Sequence, residues 1–176
     1  LLPDERFRVI EAIENLGFAG GTNLGVRGAE TEWVISLNPD TFAPADWLLR
    51  LFDASQKHPD FDMLGTTLLQ ANNPEIVDGF GDVLSIYGFC WRGGHGIHEL
   101  ALPGRHCEVF GACGAAACYR RAYFERLRGF DEAYFCYLED VDISFRFQLH
   151  NRKCLQVRDA FVWHVGGASS TGLDDF

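Results

Sequence analysis

Glu139-Asp140-Val141-Asp142 puts three carboxyl groups within four residues, where apolar spacing begins a helix. Acids in a first helical turn complement the helix dipole, each worth about 0.3–1 kcal/mol. Glu139 and Asp140 are adjacent, however, so they point to different faces. The lead-in Tyr134, Phe135 and Tyr137 implies a helix start set in a cleft. A carboxylate there can have a raised pKa and act as a general base. On this segment alone, catalysis and dipole complement stand level.

A second cluster is Asn38-Pro39-Asp40-Thr41, directly after the apolar run W-V-I-S-L. Ligands of open α/β sheets bind at the carboxyl ends of strands. Asp40 is a hard oxygen ligand placed where Mg²⁺ or Mn²⁺ could bridge two phosphates. The same four residues make a good type I turn, and spacing alone favours the turn. His164 closes the apolar run F-V-W-H-V before Gly166-Gly167. Alone it reads as a structural histidine; beside a carboxylate such as Asp40 it completes a metal site. The segment N-L-G-F-A-G-G-T-N from Asn15 holds Gly17, Gly20 and Gly21, with Gly25 following. It is not G-x-G-x-x-G. Residues 15–25 read as a turn leading into a helix, either a plain tight turn or one that lets backbone come close to a nucleotide at the helix start.

These residues need elements to position them. Alternating short apolar runs and helical runs predict an α/β domain. Strands are expected at 7–10, at Trp33–Leu37 and 61–69 (both read as buried on two faces), at 115–119, at 154–157 and at 160–165. Residues 78–96 read as a hairpin followed by a mobile loop. A helix is expected from Pro44, which suits a first helical position, through Trp47, Leu48, Leu51 and Phe52. Another spans 121–128 and stops at Gly129. The strongest spans 138–150, with Leu138, Phe145 and Leu149 on its buried face and an Asp142–Arg146 pair one turn apart.

The bulk numbers bound the function. The chain has 176 residues, 15 Lys plus Arg and 25 Asp plus Glu, for a formal charge of −10. That fits one domain. Without a basic tract it excludes nucleic acid as a partner. No run approaches the length of a membrane-spanning helix. The six cysteines show no zinc spacing and no C-x-x-C pair, so they read as buried thiols in a reducing cytosol.

Five segments together resemble the family 2 glycosyltransferases, specifically the bacterial rhamnosyltransferase-like branch. They are N-L-G-F-A-G-G-T-N from Asn15, L-N-P-D-T from Leu37, F-G-A-C-G-A-A-A-C-Y-R-R from Phe110, G-F-D-E-A-Y-F-C-Y-L-E-D-V-D-I-S-F-R from Gly129, and D-A-F-V-W-H-V-G-G-A-S from Asp159. The resemblance implies a GT-A fold: a Rossmann-like α/β domain with a mostly parallel mixed central sheet flanked by helices. It would be a single catalytic domain over 1–176, with a nucleotide-binding part at about 1–60 and an acceptor and catalytic part at about 61–176. The family's first strand and helix are expected before Leu1, so the chain reads as N-terminally truncated. The resemblance makes L-N-P-D a variant of the D-x-D motif, with Asn38 in place of the first acid and the metal on Asp40 and His164. It gives Asp140 the role of base, with Glu139 as supporting or alternative base. It places Gly20, Gly21, Asn23, Asn38 and Asp40 at the nucleotide sugar, and Gly111, Cys113 and Gly114 along the sugar and acceptor site. The implied cofactor is Mg²⁺ or Mn²⁺.

The implied activity is inverting transfer of a sugar, rhamnose among the candidates, from a nucleotide diphosphate donor. The acceptor would be a saccharide or lipid-linked glycan of cell-surface polysaccharide synthesis. The expected location is the cytoplasm, with peripheral contact at the inner face of the membrane. The rival readings are a nucleotidyltransferase-like enzyme and a non-catalytic nucleotide-sugar-binding fragment.

Overall fold

The computed structural model describes residues 6–166. Five strands lie side by side in the order β1 (Trp33–Leu37), β8 (Ala116–Arg120), β3 (Phe61–Gln70), β9 (Lys153–His164) and β2 (Thr41–Phe42). Two more extend the sheet: β4 (Asn73–Gly79) pairs with β3, and β7 (Cys107–Val109) pairs with β9. Among the described residues only the β3–β9 pairing is parallel; the other ladders of this sheet run antiparallel. A separate hairpin joins β5 (Asp82–Leu84) to β6 (Cys90–Arg92).

Helices cover both faces, and strand alternation assigns side chains to each. On one face, α2 (Trp47–Lys57) packs Trp47, Leu51 and Ala54 onto Leu64, Leu68, Ala116 and Cys118. On the other, α1 (Gly17–Val26), α3 (Arg121–Arg126) and α4 (Glu139–Leu149) close over Met63, Ala117 and Tyr119 with Ala19, Phe124, Ile143 and Phe147. The small residues of β8 let both helical layers approach. β3 is buried along its middle eight residues, the polar Asp62, Thr66 and Thr67 included, as expected of a strand covered on both faces.

Several expectations are corrected. Residues 7–10 form no strand and are exposed. β1 is not buried on both faces: Val34 and Ser36 are buried, while Ile35 and Leu37 are exposed; it is an edge strand, with β8 its one neighbour among the described residues. Residues 154–157 and 160–164 belong to one strand, β9, and Val165 lies past its end; Arg158, Asp159 and Ala160 form a bulge, where Thr66 faces Val157 and Thr67 faces Phe161. The sheet is mostly antiparallel rather than mostly parallel. α2 starts at Trp47, not Pro44, although Pro44 supplies the carbonyl that accepts the Trp47 N–H at 3.1 Å. Strand β4 has no counterpart in the reading, because Pro74 sits in it as an edge residue.

The largest correction concerns α4. Leu138, Phe145 and Leu149 are exposed, and the buried positions are Glu139, Ile143, Ser144 and Phe147. The helix is therefore rotated so that its first acid faces inward. The Asp142–Arg146 pair forms as expected, Nε to Oδ2 at 2.8 Å. Helix α3 ends at Arg126, two residues short of the expected 128, and Gly129 is the stop: at φ +68° it donates its N–H to the Phe124 carbonyl at 2.8 Å.

All six cysteines are unbridged; Cys113, Cys118 and Cys154 are buried, and Cys90, Cys107 and Cys136 only partly so.

Candidate active site

A cleft of about 200 Å³ opens between the start of α4, the β5–β6 hairpin and the loop before β8. Asn38, Cys113, Gly114, Glu139 and Asp140 line it together, along with Asp82, Trp91 and Arg92. The chain reaches it through unusual backbone. Phe135, Tyr137 and Leu138 all lie at positive φ (58°, 72° and 71°), and Leu138 then caps α4. Non-glycine residues there cost of order 1–3 kcal/mol each and need surrounding structure to hold them. That support comes from α1. Ala19 donates its N–H to the Phe135 carbonyl at 3.2 Å. Gly17, at φ +65°, leaves room for that carbonyl, which a Cβ would meet at 2.3 Å.

Asp140 is tied down. Its Oδ2 accepts the Gly114 N–H at 2.8 Å and its Oδ1 the Val141 N–H at 2.9 Å. Gly114 is held in turn by Ser36, whose hydroxyl donates to the Gly114 carbonyl at 2.8 Å. Glu139 is buried and its Oε2 has no hydrogen-bond partner among the described residues. Burial raises the Glu139 pKa to about 7; its own backbone N–H opposes the shift and Asp140 adds to it.

Asp82, which local spacing does not single out, heads β5 and is buried, with Oδ2 unpartnered among the described residues. Ligand atoms of Asp82, Cys113 and Asp140 lie within 4.8 Å of one another. Burial first, then Asp140, raise the Asp82 pKa to about 8, against the pull of Arg92. The signal in the sequence was faint: one acid between Gly81 and Val83, with nothing nearby to mark it as buried.

Asp40 and His164 come together beside this cleft. Strand β2 pairs Thr41 with His164 and sets the His164 Nε2 at 3.5 Å from Asp40 Oδ2. The His164 Nδ1 meets Asp78 Oδ2 at 2.7 Å. Asp78 also accepts from Arg92 at 2.8 Å. Burial pushes Asp78 upward, but His164 and Arg92 outweigh it and hold the carboxyl below its ordinary range. A network thus runs from the cleft through Arg92, Asp78 and His164 to Asp40. The arrangement fits a divalent cation. A metal-binding imidazole typically has its other nitrogen held by a carboxylate, which is the place Asp78 takes here. Asp40 adds a hard oxygen beside it. Asn38 keeps a buried, unpartnered Oδ1 at the cleft wall.

Other expected residues go elsewhere. Gly20, Gly21 and Asn23 are not in the cleft lining. They lie inside α1, which is already helical where the sequence reads a turn leading into a helix. Asn23 clasps the turn after α3: its Nδ2 donates to the Phe130 carbonyl at 2.8 Å and its Oδ1 accepts the Phe130 N–H at 2.9 Å. The glycine segment therefore bears on the site by holding the approach to α4. Gly111 faces α4 instead of a ligand; a Cβ on it would meet Ser144 Oγ at 2.3 Å. Its carbonyl accepts the Asp82 N–H at 2.8 Å. Gly167, and the end of the segment that runs on from Asp159, lie outside the described residues.

Residues 2–128 match the Glycosyl transferase family 2. The chain belongs to that family. Two curated relatives, both named N-acetylglucosaminyl-diphospho-decaprenol L-rhamnosyltransferase, come from Mycobacterium tuberculosis strains CDC 1551 / Oshkosh and ATCC 25618 / H37Rv. Each is 26% identical over 190 residues, covering 95% of this chain. The chain spans 61% of the length of either relative. Among solved structures, that of GalNAc-T7 with UDP, GalNAc and Mn²⁺ superposes with a TM-score of 0.66 at 15% identity, covering 87% of this chain and 31% of that one. The fold is thus the GT-A fold, and the rhamnosyltransferase-like branch of family 2 is where the chain's likeness lies.

Proposed function

We propose that this family 2 chain transfers a sugar, L-rhamnose first among the candidates, from a nucleotide diphosphate to a hydroxyl of a lipid-linked glycan. The observation that carries the reading is the Asp140 carboxylate, fixed by two backbone N–H groups at the rim of a cleft beside the Asp40–His164 pair. An acceptor hydroxyl in the cleft gives its proton to Asp140 as its oxygen attacks the anomeric carbon. The bond to the diphosphate breaks on the opposite side, the diphosphate leaves with the electron pair, and the configuration inverts. Asp40 and His164 would hold a divalent cation, which would supply positive charge to neutralise the departing diphosphate. Arg92 is the one cationic side chain lining the cleft among the described residues, and it adds positive charge on the same side.

A lipid-linked acceptor would bring the chain to the inner face of the cell membrane. The hairpin tip beside the cleft, with Ile86, Tyr87 and Phe89 exposed, supports such contact. No helix among the described residues is long and apolar enough to cross a membrane.

One observation favours a second assignment of the base: Glu139, raised to about 7 in its buried place, has the affinity to take up a proton near neutrality. Isothermal titration with dTDP, UDP and GDP, each with and without Mn²⁺, tests the donor site. Transfer from dTDP-rhamnose to an N-acetylglucosaminyl diphospholipid tests the reaction, and release of pyrophosphate instead of nucleoside diphosphate would point to a nucleotidyltransferase. Asp140→Asn is expected to abolish transfer while leaving nucleotide binding within about twofold; loss of transfer only in Glu139→Gln moves the base to Glu139.

A further inference from the structure

Asp82 stands out because it is a buried acid facing another acid. The residue is 4% exposed, its Oδ2 has no partner among the described residues, and it opens on the same cleft as Asp140. The two are not hydrogen-bonded to each other, yet their oxygens lie within 4.8 Å. An oxygen about 2.7–2.8 Å from each of two carboxyl oxygens can hold them no more than about 5.5 Å apart, so two carboxyl oxygens within 4.8 Å of one another are close enough to share one. Cys113, the third member of the cluster, is a buried thiol pushed well above its usual range, first by burial and then by Asp82 and Asp140. A buried thiol is a poor match for the oxygen ligands that Mg²⁺ takes, so an oxygen-bearing substrate fits the gap better than a cation does.

We propose that Asp82 is a second acid of the acceptor subsite, holding one acceptor hydroxyl between its own carboxyl and that of Asp140. The inference rests on the transferase reading above and extends it to the acceptor. The groups facing Asp82 are Asp140 and Glu139 from α4, Arg92 from β6 and Cys113 from the loop before β8, with the buried Tyr119 on β8 and Cys154 on β9 beyond them. The thiols and the phenol are all raised by burial and stay neutral. Two acids therefore confront one guanidinium that Asp78 already shares. Asp82, raised to about 8, keeps its proton at neutral pH. It donates that proton in a hydrogen bond to the hydroxyl oxygen, and the hydroxyl's own hydrogen points at Asp140. One lone pair on the oxygen remains for attack. On transfer the hydroxyl proton moves to Asp140, and Asp82 retains its own.

The test has two arms. Aspartate carboxyls labelled with ¹³C are titrated by NMR in the wild type, Asp82→Asn and Asp140→Asn. One resonance, missing in Asp82→Asn, should titrate near pH 8 and shift to lower pH in Asp140→Asn. In the second arm, nucleoside diphosphate release from dTDP-rhamnose is followed against pH with the N-acetylglucosaminyl diphospholipid. Wild-type kcat/KM for the acceptor should fall above about pH 8, where Asp82 ionises. Asp82→Asn should lose that alkaline limb. Asp82→Ala should raise the acceptor KM at least tenfold with the donor KM unchanged. An Asp82 carboxyl that titrates in the ordinary range and ignores Asp140→Asn overturns the proposal, as does an unchanged acceptor KM in Asp82→Ala. A wild type that transfers nothing overturns the transferase reading and the acceptor role with it, while the labelled carboxyl still reports whether the proton-holding pair exists, so the two failures separate.

Discussion

Asp78 shows how a residue without direct contact to substrate can govern the site. Its carboxylate holds the His164 Nδ1 at 2.7 Å and so turns Nε2 toward Asp40. Replacing a carboxylate that orients a metal-binding imidazole typically costs 10–100-fold in metal affinity or activity. Asp78→Asn should weaken Mn²⁺-dependent nucleotide binding by that factor, read by titration at fixed nucleotide, and His164→Ala should weaken it at least as much. Neither change should alter nucleotide binding in the absence of metal. At this scale the sequence was partly legible. The motif around Asp140 and the L-N-P-D turn are contiguous and stood out. Asp78 and Asp82 did not, because their significance comes from burial and from partners 86 and 58 positions away in the chain, His164 and Asp140. Local spacing carries no record of such meetings.

At the scale of elements, the glycine segment and the turn after α3 form one device. Gly129 lies at φ +68° against Asn23, and an added Cβ would meet Asn23 Oδ1 at 2.3 Å. Gly129→Ala therefore combines backbone strain with a broken clasp and should destabilise the fold by about 2–4 kcal/mol. Asn23→Ala removes the clasp alone, leaves the Phe130 N–H and carbonyl unpartnered, and should cost about 1–3 kcal/mol. Both are measured by urea unfolding, and both should lower transfer more than they lower nucleotide binding if α1 serves to hold the approach to Asp140. Here the sequence misled in an instructive way. The glycine-rich stretch reads as a turn leading into a helix, yet its glycines lie inside the ten-residue α1, because Ala19 and its neighbours bury against Phe130 and Tyr119. Tertiary packing outweighed a propensity loss of about 1 kcal/mol per glycine. The face of α4 was misjudged for the complementary reason: burying Glu139 and Ser144 is unfavourable until a site is built around them, so apolarity alone chose the wrong side.

For the whole molecule, the buried acids set how stability varies with pH. Asp82 and Glu139 have folded-state values raised to about 8 and about 7, so their protonated forms are the ones folding favours. Their contribution is complete below the ordinary carboxyl range and is lost as pH rises through 7 to 8. Asp78, lowered, behaves in the opposite sense: its contribution is present above the ordinary range and is lost as pH falls below it. The thermal midpoint should therefore decline from about pH 4 to about pH 8, between the ordinary and the raised values, and level off above. Glu139→Gln and Asp82→Asn should each flatten that decline, as differential scanning calorimetry across the range would show. An unchanged slope in both variants would remove the buried acids as its cause.

The parallel pairing of β3 with β9 also sets a timetable. Phe61 lies opposite Lys153 and Gln70 opposite His164, so the central ladder joins stretches about ninety residues apart. At roughly 5–20 residues per second of synthesis, β3, the most buried strand, waits on the order of 5–20 seconds before its parallel partner exists. During that interval it has its antiparallel neighbours β4 and then β8, but its other long edge stays open, and an open apolar edge invites association with other chains. The strand that ends this wait is the one that brings His164 to Asp40, so the metal pair and the closed sheet arrive in the same moment.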